Sequence, residues 1–141
     1  MNQRISFITL GVKNLQEMKS FYADVFGWTL LKDSDGIVFF KLNGFILGLF
    51  PSHELAEDAG VSELGSGFKS FSLSINLNSE KEVDNLYQEL ISKGAKSLKM
   101  PEGVFWGGYR GYIADPEDNL WELAYNPFLE MDEKGNVVHH P

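Results

Sequence analysis

Two stretches of equal length, FITLGVKNLQEMKSFY at 7–22 and SLSINLNSEKEVDNLY at 72–87, follow the same plan. Each opens on an alternating run typical of a strand and continues with apolar residues three and four apart, as in an amphipathic helix. Asn14 and Ser79 occupy the predicted helix starts, and each is followed three residues later by a glutamate, the pattern of a capping box. The two caps are 79 − 14 = 65 residues apart, which indicates an internal repeat.

Strand candidates surround each helix in the same order. The candidates of the first copy are residues 5–12, 29–31, 37–41 and 45–50, and those of the second are 71–77, 96–99, 105–114 and 120–125. Turn sequences separate the later strands: Asp35–Gly36, Asn43–Gly44 and Asp115–Asn119. The sequence therefore predicts an α+β fold made of two βαβββ modules.

The modules are predicted to span about residues 1–50 and about 68–127, inside a single domain of residues 1–141. Residues 51–67 are acidic and rich in glycine, serine and alanine, and are interpreted as an inter-module linker with one short helix across 54–59. Residues 128–141 form a tail whose end, from Met131, is polar and predicted to be poorly packed.

Composition excludes several kinds of function. The 141 residues carry a formal net charge of −8, which argues against a nucleic-acid-binding protein. Cysteine is absent, so disulfides, thiolate metal sites and cysteine nucleophiles are excluded. No segment reaches the roughly 18 consecutive apolar residues of a membrane span. No signal peptide is recognisable at the N-terminus, and a cytoplasmic protein is expected.

Three motifs carry a family resemblance. They are Ile8–Leu15 followed by Phe21–Tyr22 and Phe26–Trp28, then Phe105–Tyr112, and finally Asp115–Glu122 followed by Asn126–Pro127. In this order and spacing they resemble the vicinal oxygen chelate (VOC) superfamily, which includes glyoxalases, bleomycin resistance proteins and ring-cleaving dioxygenases. The resemblance covers about residues 5–127.

The resemblance implies that each module curls its sheet into half of an open barrel, and that the paired half-barrels enclose a cavity. Metal-dependent members hold a divalent cation there through four ligands, one each from the first and last strands of both modules. Such a cation acts as a Lewis acid towards a substrate that chelates through two neighbouring oxygens.

The residues at those four positions differ from the pattern. The first-strand positions fall on Phe7 and Ser72, and the last-strand positions on Glu122 and about Leu47. Glu122 is the only plausible ligand, so no cofactor is predicted, and a divalent metal is kept as the alternative. The three histidines, His53, His139 and His140, lie in the predicted linker and tail.

Six residues are predicted to bind a ligand: Thr9, Asn76, Trp106, Tyr109, Arg110 and Glu122. Thr9 and Asn76 lie on the strand faces predicted to line the cavity, where they bind a ligand or bond to neighbours and water. Glu122 either contacts the ligand or is a solvated or arginine-paired family remnant, and Arg110 either clamps an anion or faces solvent.

Trp106 and Tyr109 stand in a glycine-rich aromatic stretch that suits either a flat ligand or a sharply bent sheet.

The leading functional hypothesis is a small-molecule-binding protein with an aromatic-lined cavity and no tightly held metal. The alternatives are a metal-dependent lyase, isomerase or dioxygenase with displaced ligands, and a protein-interaction domain. No catalytic residue is predicted. A homodimer is expected because family members commonly pair and curled half-barrels leave sheet edges to cover.

Overall fold

A computed structural model describes residues 3, 6–34, 36–69 and 71–141. The chain divides into two compact units, the first ending at Gly67 and the second beginning at Phe68. Ile5 and Asp35, which belong to a predicted strand and a predicted turn, lie outside the described residues.

The first unit is a four-stranded mixed sheet with two helices. Its elements are β1 (Phe7–Val12), α1 (Leu15–Ser20) with a π-helical continuation (Phe21–Val25), β2 (Leu30–Ser34), β3 (Ile37–Lys41), β4 (Ile46–Pro51) and α2 (Ser52–Ala59). The strand order is β1-β4-β3-β2, with β1 parallel to β4 and the other neighbours antiparallel. This is the predicted βαβββ order.

Alternation along the strands gives the first sheet two different faces. Its packed face turns towards α1. The buried residues on this face are all apolar: Leu10 and Val12 on β1, Val38 and Phe40 on β3, and Leu47 and Leu49 on β4. The other face, called here the open face, carries Phe7, Thr9 and Gly11 on β1 and Ile46, Gly48 and Phe50 on β4. Burial of the packed face supplies the core of this unit.

The first helix begins and ends where the sequence predicts. The Asn14 side chain accepts a hydrogen bond from the backbone N–H of Glu17 at 3.0 Å, which satisfies one of the donors at the helix start. At the other end, Gly27 adopts the left-handed conformation, with φ of 71°. The buried Tyr22 ring stacks on Trp28, with 5.7 Å between ring centroids, and fixes the chain that leaves the helix.

The second unit repeats the arrangement and extends it. Its elements are β5 (Leu73–Leu77), α3 (Glu80–Ser92), β6 (Lys96–Gly103), β7 (Tyr109–Ala114), β8 (Leu120–Tyr125), β9 (Glu130–Met131) and β10 (Val137–His139). The strand order β5-β8-β7-β6 matches the first sheet, with β5 parallel to β8. The predicted repeat and the predicted α+β fold are confirmed.

Helix α3 packs through one apolar stripe. Val83, Tyr87 and Leu90 are buried on it, and the facing strands contribute the buried Ile113 and Leu123. Ser79 Oγ caps the helix by accepting from the backbone N–H of Glu82 at 3.2 Å, as the capping pattern predicts.

The β7–β8 turn and the tail hairpin are built on the same hydrogen bonds. Asp115 Oδ1 accepts from the backbone N–H of Asn119 at 2.9 Å, and Asp115 Oδ2 accepts from the Asn119 side chain at 2.7 Å. Asp132 and Asn136 repeat both bonds at 2.9 and 2.8 Å between β9 and β10. The tail therefore contains a hairpin, because its own turn supplies the closing bonds, and most of its residues from Met131 onwards are exposed.

Two differences from the predicted strands come from backbone geometry. Strand β7 begins at Tyr109 rather than at Phe105, since residues 104–108 form a turn closed by a bond from Gly107 N–H to the Val104 carbonyl. A Cβ at Gly111 would lie 2.9 Å from both the Lys99 carbonyl oxygen and the Pro101 nitrogen, so this glycine admits a bulge of β6.

The predicted linker helix is the longer α2, which belongs to the first unit. It packs against β1 at Gly11, where a Cβ would lie 3.2 Å from Leu55 Cδ2. Within the part of the chain that the structure describes, no helix is long and apolar enough to span a membrane. The cytoplasmic location stays a prediction.

Candidate functional site

The open face of the second sheet carries a row of three polar side chains. Ser74 on β5 is paired with Glu122 on β8, and Glu122 is paired on its other side with Tyr112 on β7. Residues paired in this way point to the same side of a sheet, and their side chains are neighbours. Three adjacent strands therefore bring a hydroxyl, a carboxylate and a phenol together.

A hydrogen bond links two members of this row. The Tyr112 hydroxyl donates to Glu122 Oε1 at 3.0 Å, and both residues are half-buried. Burial, together with the hydrogen bond to the Glu122 carboxylate, raises the pKa of Tyr112 above its usual 10.0. Tyr112 therefore remains a protonated donor near neutral pH. Because this bond holds the Glu122 carboxylate in place, Glu122 Oε2 is a further acceptor with a defined position.

An ion cluster lies beside this row. Glu102 Oε1 accepts from Lys99 Nζ at 3.0 Å and from Arg110 Nη1 at 3.1 Å. Hydrogen bonds from Lys99 and then from Arg110 lower the pKa of the Glu102 carboxyl, so Glu102 is ionised near neutral pH. The Arg110 guanidinium also lies over the Tyr112 ring, 5.9 Å from its centroid, which connects the cluster to the row.

A second row contains a small residue at its centre. Asn76 on β5 and Arg110 on β7 both pair with Ala124 on β8, so a methyl group separates an amide from a guanidinium. Asn76 Nδ2 donates to Ser74 Oγ at 3.3 Å, which leaves the amide oxygen as its acceptor. Asn76, Arg110 and Glu122 thus share one surface of the second sheet.

The corresponding row of the first sheet has different chemistry. Thr9, Gly48 and Phe39 are paired across β1, β4 and β3 in the same way as Ser74, Glu122 and Tyr112. A Cβ at Gly48 would lie 3.3 Å from both Phe39 Cε1 and Thr9 Oγ1, so the Phe39 ring and the threonine occupy the space of a side chain.

The neighbouring Phe7 ring packs on the edge of Phe39, with 5.6 Å between centroids.

A family model described as the glyoxalase/bleomycin resistance protein/dioxygenase superfamily matches residues 4–123. The chain belongs to this superfamily. Its motifs, repeat and sheet order agree with that assignment, and the VOC resemblance predicted from the sequence is confirmed.

Similar proteins have been described as glyoxalases or as relatives of them. A lactoylglutathione lyase from Arabidopsis thaliana is 30% identical over 130 residues, which cover 86% of this chain and 44% of that protein. The chain thus spans less than half the length of this relative. A solved glyoxalase-related enzyme from Fulvimarina pelagi is 34% identical, with a TM-score of 0.90 and coverage of 99% of this chain and 100% of that one.

A second solved structure, a glyoxalase/bleomycin resistance protein/dioxygenase from Nocardioides, is 24% identical, with a TM-score of 0.76. It covers 89% of this chain and 84% of that chain, and at this identity the likeness shows the fold alone.

The superfamily positions for a metal do not fit a resident cation in this member. Pairing with Thr9 makes Gly48, not Leu47, the counterpart of Glu122, which is itself paired with Ser74. Leu47 is fully buried in the packed face, so its assignment as the fourth position was wrong.

The four positions of the VOC pattern are therefore occupied by Phe7, Gly48, Ser72 and Glu122. Two of these have no side-chain lone pair, and a neutral hydroxyl is a weak ligand. Across residues 3, 6–34, 36–69 and 71–141, the structure brings no three histidine, aspartate or glutamate side chains together for a metal ion.

Four of the six predicted site residues lie on open faces, and two lie elsewhere. Asn76, Arg110 and Glu122 share the open face of the second sheet, and Thr9 lies on that of the first. Tyr109 falls on the opposite side, where its hydroxyl donates to Asp84 of α3 at 2.8 Å. Trp106 lies in the β6–β7 turn, with its indole ring against Gly108.

Four residues of the candidate site are not among the six predicted from the sequence: Ser74, Lys99, Glu102 and Tyr112. The signal for Tyr112 was available, because counting equally along both strands from the turn at 115–119 pairs Tyr112 with Glu122. The signal for Lys99 and Glu102 was not, since their approach to Arg110 depends on the bulge in β6.

Proposed function

We propose that this VOC member binds a small molecule on the open face of its second sheet, without a resident metal. The observation that carries the proposal is the bond from the Tyr112 phenol to the half-buried Glu122 carboxylate. A carboxylate in such surroundings is costly unless it is paired, and polar groups of this kind often mark binding sites. Ser74, Asn76 and Arg110 add donors and acceptors around it.

Ligand-observed nuclear magnetic resonance with a mixture of small polar fragments tests the proposal. We expect fragments that bind the wild-type chain to bind Tyr112→Phe and Glu122→Gln about tenfold more weakly. Tyr112→Phe removes the donor that holds the Glu122 carboxylate, and Glu122→Gln replaces one of its acceptor oxygens with an amide N–H. Glu133→Gln removes an exposed carboxylate of the tail turn and is the matched control. Binding that is equal in all four proteins would refute a site at Glu122.

A catalytic alternative is favoured by two relatives, a lactoylglutathione lyase at 30% identity and a glyoxalase-related enzyme at 34%. Elemental analysis of protein purified without chelator separates the two functions. With only Glu122 as a good donor, we expect far less than one transition metal per chain. Near-stoichiometric zinc, nickel, iron or manganese that is lost in Glu122→Gln would support the enzyme instead.

We infer that the chain pairs as a homodimer. Strand β2 lies at the edge of the first sheet with every residue exposed, including Leu30 and Leu31. An exposed edge with apolar side chains favours association. Light scattering at micromolar concentration is expected to give twice the chain mass, and a monomer mass at all concentrations would contradict this.

A further inference from the structure

The ion cluster on the second sheet has the form of an anion site already filled by one of the protein's own carboxylates. Lys99 and Arg110 both donate to the same oxygen, Oε1 of Glu102. The Glu102 side chain is 54% exposed, whereas that of Arg110 is 19% exposed. The Arg110 guanidinium is therefore part of the sheet surface, whereas the Glu102 carboxylate approaches it from the solvent side.

A free carboxylate can replace Glu102 on these two cations with little loss of folding stability. Exposed ion pairs contribute little to stability because water solvates both partners when they separate. The Arg110 guanidinium is held over the Tyr112 ring, so it keeps its position when its partner changes. A planar guanidinium with a nearby ammonium is well suited to a ligand carboxylate.

Glu122, which can accept a hydrogen bond from the rest of the ligand, lies diagonally opposite Arg110 on the neighbouring strand. Arg110 pairs with Ala124 and Tyr112 pairs with Glu122, so Arg110 and Glu122 are diagonal neighbours with Cα atoms about 7–8 Å apart. The Tyr112 side chain connects them, because its ring lies under the Arg110 guanidinium and its hydroxyl donates to Glu122 Oε1. A short molecule held at one end by Arg110 can therefore reach Glu122 Oε2 with a donor at the other end.

We propose, building on the proposed function, that the site takes a small carboxylate bearing a hydroxyl or ammonium donor, and that Glu102 is an internal competitor for it. The ligand carboxylate exchanges with Glu102 on Arg110 and Lys99. Its donor hydrogen-bonds to Glu122, whose position is fixed by Tyr112. No covalent bond of the ligand is made or broken in this exchange.

Titration of the isotope-labelled full chain with glycolate, glycine and acetate, followed at the amides of β7 and β8, tests this. Glycolate or glycine is expected to bind more tightly than acetate, which has no donor. Glu102→Gln is expected to tighten all three by about threefold or more, because the competing charge is removed, and Arg110→Gln to weaken them about tenfold. Glu122→Gln places an amide N–H beside the ligand instead of an acceptor oxygen. Glycolate and glycine should then lose their advantage in affinity over acetate.

Controls separate this inference from the function on which it rests. Glu133→Gln changes the net charge by the same amount as Glu102→Gln and should leave all three titrations unchanged. If Arg110→Gln does not fold, Arg110→Lys, which keeps the positive charge, replaces it. If fragments bind at Glu122 but Glu102→Gln does not tighten carboxylate binding, the competitor role is wrong and the proposed function stands. If neither fragments nor carboxylates bind, the proposed function itself fails.

Discussion

The open faces of the two sheets have the same backbone and opposite chemistry. In the first unit, Phe39 and Thr9 lie against Gly48, and none of these three residues is charged. In the second, the equivalent positions are Tyr112 and Glu122, joined by a hydrogen bond of 3.0 Å. A repeated topology therefore conserves the packed face, on which stability depends, and leaves the open face free to diverge.

The largest effect on stability is expected when the row of Thr9, Gly48 and Phe39 in the first sheet is given a carboxylate like Glu122. Gly48→Glu should reduce the free energy of unfolding by about 3–5 kcal/mol, since it buries an unpaired charge where Phe39 and Thr9 already fill the space. Adding Phe39→Tyr supplies the phenol of the second row and should recover about 1 kcal/mol. Urea denaturation of both single variants and the double variant measures this coupling, and additive effects would show that the rows are not equivalent.

Removing the phenol of the second row should have the next largest effect. Tyr112→Phe leaves a half-buried Glu122 without this donor and should cost about 1–2 kcal/mol of unfolding free energy. Tyr125→Phe is the matched control, because Tyr125 lies on β8 but outside the row. Equal losses in the two variants would mean that the bond to Glu122 contributes nothing of its own.

The same bond predicts a dependence on alkaline pH. The pKa of Tyr112 is raised in the folded protein, so the folded state holds this proton more tightly than the unfolded state does. The resulting stability is present below the ordinary pKa of 10.0 and is lost as the pH rises through the raised value.

Urea denaturation from about pH 8 to pH 11 should therefore show a fall in stability that is smaller in Tyr112→Phe. Part of the fall should persist in that variant, because a hydrogen bond to Asp84 also raises the pKa of Tyr109. An identical fall in wild type and variant would rule out Tyr112 as a contributor.

The smallest effect on stability is expected for Glu122→Gln. The amide oxygen still accepts from the Tyr112 hydroxyl, so the loss should remain below about 1 kcal/mol. Thermal unfolding of this variant beside Tyr112→Phe compares removal of the charge with removal of the donor. A larger loss in Glu122→Gln would show that the charge of the carboxylate itself stabilises the sheet.

Local chemistry made most of the fold predictable. Asn14 and Ser79 cap the two helices through bonds that depend on a few neighbouring residues, and Gly27 and Gly94 end them with positive φ. The Asp115 turn is encoded in the same local way. These signals act within one helical turn or hairpin, so they could be read from the chain directly.

The candidate site was harder to predict because it depends on strand register. A shift of one residue moves a side chain to the opposite face, and this is why Leu47 rather than Gly48 was assigned as the mate of Glu122. Tyr109 and Tyr112 look equally suitable in the sequence, but only Tyr112 shares a face with Glu122. Pairing across strands, which decides both cases, is not a local property.

The twin turns at Asp115–Asn119 and Asp132–Asn136 bear on the order in which the second unit assembles. Each closes a loop of a few residues, whereas the parallel pairing of β5 with β8 must close a loop that contains α3 and two strands. Short loops close faster and at lower entropic cost than long ones. We therefore expect β7 and β8 to gain protection from pulsed hydrogen exchange during refolding before β5 does, with the first-formed hairpin acting as the template on which the parallel strand docks.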